Sequence, residues 1–260
     1  MFETIKIATD VRGIARLTLS RPDKHNTLSG KMIDELTEAA GRLGTDPKVR
    51  VVILQAEGDS FCAGGDLDWM KAQIAGNSDQ RRAGATALAM MLRALDTMPK
   101  PLIGRVQGAA YGGGVGMMSV CDLTVGVPDA RFGLTETKLG LIPATISPYV
   151  IARIGVTAAR RHMFASRLFG AEEAHRIGLL SGIAASDDLD AAIGAEVEPF
   201  LACAPGAVAD AKALIREIVP APDPALIDKT VDLLVKRWES DESAEGIAAF
   251  FERRKPRWVV

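Results

Sequence analysis

The residues with chemical potential gather in one stretch of this sequence, Ala109 to Ile146. Gly112, Gly113 and Gly114 open an apolar, helix-like segment, GVGMMSV, and a lone carboxylate, Glu136, follows in the uncharged run FGLTET. Glycines ahead of a helix let a ligand approach the backbone closely, and the first helical turn offers N–H groups that have no partner. Such donors beside a single carboxylate suit chemistry next to a carbonyl. The donors hold a developing enolate oxygen while the carboxylate moves a proton. A glutamate is by default a surface residue, since it is almost never buried unpaired. The uncharged neighbours of Glu136 point it instead toward a pocket, where its pKa would rise.

A second glycine turn, Gly64–Gly65, lies in DSFCAGGDLDWM. There a strand runs into the glycine pair, and Asp66 is placed to cap a new helix. The pattern strand, glycine turn, helix thus occurs twice, and two such turns from neighbouring units would point N–H groups at one spot. Alone, the triple glycine could equally serve tight helix–strand packing.

The surrounding elements follow from periodicity. Ile5 and Ile7, then Ile14 to Leu19, alternate as a strand pair joined by the turn residues DVRG. Ser29 reads as the N-cap of a helix with Ile33, Leu36, Ala40 and Leu43 on one face, and Gly44 as its stop. Val49 to Ala56 and Leu102 to Val106 are near-continuous apolar runs of the doubly buried kind, and Leu123 to Val127 is a further strand. Residues 71–83 lack a clear period and read as a loop or frayed helix, ahead of a helix over Leu88 to Leu95 that Pro99 and Pro101 end. Ser147 and Pro148 mark a helix start. Residues 147–180 read as helices, with an extended piece at Leu179–Ile183, and everything from Leu189 onward reads as helix. The expected division is therefore a core, residues 1–198, carrying the site, and a helical region, residues 199–260. Its apolar residues, including Leu214, Ile218, Leu233, Leu234, Ile247, Phe250 and Phe251, are expected to dock on the core or on another subunit.

Composition narrows the partners. The 260 residues are 48% hydrophobic and 25% charged, enough to bury a sizeable core, and 31 basic against 33 acidic residues give a net charge of −2. That balance disfavours nucleic acid, which wants a basic excess. Cys62, Cys121 and Cys203 are far apart with no CxxC pair, and His25, His162 and His175 are scattered, so no metal site is expected. Reduced thiols suit a cytoplasmic setting. The start, MFETIKIATD, has neither a basic nor an apolar signal region, and no apolar run reaches the roughly 18 residues of a membrane span.

Four ordered segments resemble the enoyl-CoA hydratase/isomerase (crotonase) superfamily over essentially the full length. FCAGGDLDWM (61–70) and GAAYGGGVGMMSVCDL (108–123) resemble its two oxyanion-hole segments. RFGLTETKLGLIPATISPYVIARIG (131–155) resembles its catalytic-carboxylate segment, and AAFFERRKPRW (248–258) its C-terminal signature. The resemblance implies a spiral of ββα units, an α/β fold, with C-terminal helices that build trimers or dimers of trimers. It makes the backbone N–H groups of Gly65 and Gly113 the oxyanion hole and Glu136 the proton-handling carboxylate. The substrate is then an acyl-CoA thioester, with no separate cofactor and no membrane partner. Ala63, Asp66, Leu67, Trp69 and Tyr111 are expected to contact it, Asp66 being placed to cap a helix as well. Lys24, together with Arg21, and Lys255 are candidates for the nucleotide end of CoA.

One departure stands out. The first catalytic glutamate of typical hydratases falls at position 116, which here is Gly116. Adding water to a conjugated double bond needs one group to deprotonate the water and one to protonate the α-carbon. Glu136 alone serves if it passes on the same proton, or a neutral group such as Tyr111 or Ser147 holds the water. LDWM, YGGGVG and LTETKLGLIPATISPYV resemble the hydratase branch acting on branched glutaconyl-CoA esters, in which glycine at this position is frequent. The competing expectations are a 3,2-enoyl-CoA isomerase using Glu136 alone and a non-catalytic acyl-CoA binding protein. Among the remaining residues, Cys62 is expected as a small buried hydrophobe, and His162 and His175 as surface residues.

Overall fold

The computed structural model describes residues 2–219 and 222–259. In chain order the elements are β1 (Ile5–Thr9), β2 (Ile14–Leu19), α1 (Gly30–Thr45), β3 (Val51–Ala56), β4 (Ser60–Cys62), α2 (Leu67–Ala75), α3 (Ser78–Thr97), β5 (Leu102–Val106), β6 (Ala109–Tyr111) and α4 (Gly113–Ser119). There follow β7 (Leu123–Gly126), β8 (Arg131–Gly133), α5 (Ser147–Ala165), β9 (Phe169–Gly170), α6 (Ala171–Arg176), β10 (Gly182–Ile183), α7 (Leu189–Ala202), α8 (Pro205–Ile218), α9 (Pro224–Trp238) and α10 (Asp241–Phe251).

The strands form two sheets, ordered β1-β2-β3-β5-β7-β10 and β4-β6-β8-β9. Successive strand pairs, β3/β4, β5/β6 and β7/β8, each place one strand in each sheet and then pass into helix, so the expected ββα repeat is present. β1 and β2 pair antiparallel across the DVRG turn, whereas β2–β3, β3–β5, β5–β7, β4–β6 and β6–β8 are parallel. The run Val51–Leu54 is fully buried between β2 and β5, which is why it lacks alternation.

Capping residues define the helices that frame the site. Ser29 accepts from the Met32 N–H, and α1 buries Met32, Ile33, Leu36, Ala40 and Leu43. Its end differs from expectation: Gly44 lies inside the last turn and Asp46 follows Thr45 as the C-cap. Residues 71–83 also differ, being mostly helix. Asn77 starts α3 with a capping box, in which its side chain takes the Gln80 N–H and Gln80 takes the Asn77 N–H. Ser147 is the first residue of α5, with Ile146 as N-cap.

Two apolar clusters fill the interior. The larger joins both sheets with α1, α3, α4 and α7, and the helix α7, continuous across residue 198, buries Leu189, Ile193 and Val197 in it. The smaller packs Met70, Ala85 and Ala89 against Leu141 and Ala144, and against Ile227, Val231, Leu234, Val235 and Trp238 of α9. Of the C-terminal apolar residues, Leu234 and Ile247 are therefore buried, while Leu214, Ile218, Leu233 and Phe250 remain exposed. His162 is a correction: it is 2% exposed, its ring 4.2 Å from that of Phe169 and its Nε2 3.3 Å from Glu173 Oε1. The Arg-flanked helix concealed that one face of α5 packs on β9, a two-residue strand with no sequence signal. His175 is exposed as expected. Among the described residues no single helix is long and apolar enough to cross a membrane.

Candidate active site

The two glycine turns are built against each other. β4 and β6 are parallel neighbours, so the turns that leave them lie side by side. A Cβ on Gly114 would come within 2.3 Å of the Cys62 carbonyl oxygen, a contact only glycine permits. In the first turn the chain pairs with the loop before α1: the Leu28 N–H donates to Gly64 O at 2.8 Å, and the Asp66 N–H to Leu28 O at 3.0 Å. The N–H of Gly65, between them, makes no hydrogen bond to a described residue. In the second turn Gly112 adopts φ +48°, and α4 begins at Gly113, whose N–H is one of the unpaired first-turn donors.

Glu136 opens the 3-10 turn Glu136–Leu139, which Gly140 closes at φ +69°. The turn is held on both sides. Thr137 Oγ1 lies 2.5 Å from Ser166 Oγ at the end of α5, and the Arg237 Nε of α9 donates to Gly140 O at 2.9 Å. This fixes the Glu136 carboxyl over the second glycine turn, since a Cβ on Gly112 would sit 2.9 Å from Glu136 Oε1. Oε2 is buried with no hydrogen-bond partner among the described residues. Burial pushes the carboxyl up to about 7, opposed only by a hydrogen bond from its own backbone N–H.

Glu136, Gly65, Gly113, Ala63, Leu67, Trp69 and Tyr111 all line one cavity of about 630 Å³. Asp66 does not line it. Its Oδ1 takes the Asp68 and Trp69 N–H groups and its Oδ2 pairs with Arg21 at 2.9 Å, so it caps α2 and fastens the loop before α1. Burial opposes its ionised form, but the Trp69 N–H and Arg21 outweigh it and hold the carboxyl below the usual range. Lys24 and Lys255 are exposed and off the cavity wall. Cys62 is fully buried, its thiol pushed up to about 12 by burial.

Sequence reasoning missed part of the wall. α9 and α10 supply Leu234, Trp238 and Phe250, with Trp238 meeting Trp69 edge-on at 6.4 Å. The apolar stripe of α9 was the available signal, but nothing local shows that its partner is the site. His25, at φ +49°, also lines the cavity. So does Thr145, which is 4% exposed.

At position 116 there is no room for a side chain. A Cβ there would lie 2.5 Å from Ile146 Cγ2 and 3.0 Å from its Cβ, so Ile146 occupies that space. The site therefore offers one raised-pKa carboxyl, two free backbone donors and a mostly apolar wall with a few polar side chains, a set that can stabilise an enolate and move one proton.

Residues 9–259 match the enoyl-CoA hydratase/isomerase family. The chain is 34% identical over 206 residues to an enoyl-CoA hydratase of Alternaria alternata, covering 79% of this chain and 67% of that one. The crystal structure of an enoyl-CoA hydratase from Shewanella pealeana superposes with TM-score 0.81 at 36% identity, covering 99% of this chain and 96% of that one. One from Mycobacterium avium does so with TM-score 0.86 at 31% identity, covering 99% and 100%. The chain belongs to the enoyl-CoA hydratase/isomerase family.

Proposed function

We propose that the protein is a hydro-lyase that adds water across the 2,3 double bond of an enoyl-CoA thioester. The observation that carries this is the Glu136 carboxyl: half-buried, its Oε2 inaccessible and unpartnered, raised to about 7, and on one wall with the free N–H groups of Gly65 and Gly113. Those two N–H groups bind the thioester oxygen and receive the charge that develops on it. The ionised Glu136 takes a proton from water as the water oxygen bonds to the β-carbon, and the double-bond electrons move into the enolate. Glu136 then returns that proton to the α-carbon as the enolate collapses. One carboxylate suffices because it ends each cycle in the state in which it began.

A branched glutaconyl ester is the finer form of the proposal, supported by the resemblance of the segments around the site. Its second carboxylate would have Lys138, the Lys or Arg side chain on the wall among the described residues, as counter-ion. Exposed apolar side chains, Phe164 at 72% and Ile218 at 71%, support assembly into a homotrimer or a dimer of trimers.

The test is to incubate purified protein with 2-enoyl- and 3-enoyl-CoA esters, branched glutaconyl-CoA among them, and to weigh the products. A product one water heavier supports the hydratase reading. A 3-enoyl ester converted to its 2-enoyl isomer at unchanged mass, with no hydration, replaces it with the isomerase. Binding with no conversion leaves an acyl-CoA binding protein.

A further inference from the structure

Ile146 fills the place of a side chain at position 116, which leaves the attacking water in need of another anchor. Glu136 must abstract a proton from that water, and an apolar wall alone would not orient it. A neutral hydroxyl on the wall is the natural substitute, and the structure separates the candidates.

Ser147 is committed elsewhere: its Oγ donates to Pro143 O at 2.5 Å, and it does not line the cavity. Thr27 lines the cavity, but its hydroxyl donates to Asp66 Oδ2 at 3.2 Å. Tyr111 and Thr135 also line it, and both pack around Gly133, where a Cβ would meet Tyr111 Cδ1 at 3.4 Å and Thr135 Cγ2 at 3.3 Å. Thr145 differs from these two on two counts. It adjoins Ile146 in the chain, at the wall that closes position 116. It is 4% exposed yet lines the cavity. Its hydroxyl, like those of Tyr111 and Thr135, makes no hydrogen bond to a described residue and so is uncommitted, unlike those of Ser147 and Thr27.

We infer that Thr145 is a further catalytic residue, whose hydroxyl holds the attacking water for Glu136. The inference rests on the hydratase reading above. Thr145 Oγ accepts one hydrogen of the water, and the other points to the Glu136 carboxylate. The water oxygen bonds to the β-carbon as Glu136 takes that proton, and the proton on Thr145 never leaves it. The same hydrogen bond is available to the hydroxyl of the product, so dehydration uses it in reverse.

The test compares Thr145→Val, which keeps the shape and removes the hydroxyl, with Thr145→Ser, which keeps the hydroxyl. Turnover of a 2-enoyl-CoA is measured alongside binding of the same ester to each protein. Losing one neutral hydrogen bond to the reacting water is expected to lower kcat about tenfold in Thr145→Val, with KM and ester affinity unchanged. Thr145→Ser should restore most of the rate. Thr145→Ala gives the same comparison if the valine variant does not fold. Wild-type turnover in a folded Thr145→Val or Thr145→Ala protein overturns the role of Thr145 and leaves the hydratase reading intact. An equal fall in the serine variant also overturns it, because the hydroxyl is then not what matters. Absence of hydration by the wild-type protein overturns both.

Discussion

Glu136→Gln should stabilise the protein in a pH-dependent way, and the size of the effect follows from the burial of the carboxyl. In the folded chain Glu136 titrates at about 7, against 4.5 for an unperturbed glutamate. The folded state therefore holds this proton more tightly than the unfolded state. The stability it contributes is complete below about pH 4.5 and is lost as pH rises toward about 7. A difference of that size amounts to about 3 kcal/mol across the full window. Gln has the same shape and does not titrate, so the variant escapes this loss. Its own buried amide carries a cost, but that cost is the same at every pH. Denaturant unfolding of both proteins at about pH 5 and about pH 8, at matched protein concentration, isolates the term, and the stability of variant relative to wild type should rise by about 2 to 3 kcal/mol between them. Other titrating groups cancel in the comparison. An identical difference at both pH values would show that Glu136 titrates as an ordinary exposed carboxylate and would refute its burial as the source of its chemistry.

The remaining predictions concern the reaction and its wall. Because Glu136 works as a base, kcat/KM for hydration should climb with pH through about 7 and level off above it, an inflection read directly from a pH–rate profile. Gly65→Pro removes an N–H that no described residue uses, and the nearest atom to a Cβ there is Met70 Cγ at 3.6 Å. It should cost about 100- to 1,000-fold in kcat while Gly65→Ala costs little, as measured by steady-state kinetics on folded protein. Gly116→Glu should not raise activity, because its Cβ would strike Ile146, and it should lower stability by about 1–3 kcal/mol in thermal unfolding.

What the sequence revealed and concealed has physical causes. Local signals carried the longer strands β1, β2, β3, β5 and β7, the Ser29 and Asp66 caps and the two glycine turns, because each depends on residues within a few positions of one another, whereas the two- and three-residue strands β6, β8 and β9 are too short to show a period. The pocket character of Glu136 was also legible, from the absence of charge on either side. The contact between Gly114 and the Cys62 carbonyl joins residues far apart in the chain, so only the repetition of the turn hinted at it. Asn77 and Gln80 held a capping box in plain view, but the weak apolar period of residues 71–83 hid it. The part played by Trp238 and Phe250 in the cavity wall was not legible, since an amphipathic helix does not say which surface its stripe will meet. Ile146 in the space of position 116 is likewise a packing fact that no spacing rule reaches.

The most direct test of a one-carboxylate hydratase follows the absorbance of a conjugated 2-enoyl-CoA thioester with wild-type protein and with Glu136→Gln, both shown to bind the ester equally. The absorbance should fall with the wild type, yielding the hydroxyacyl product by mass, and should stay constant with the variant. Equal rates of hydration by the two proteins would contradict the assignment of the proton transfer to Glu136.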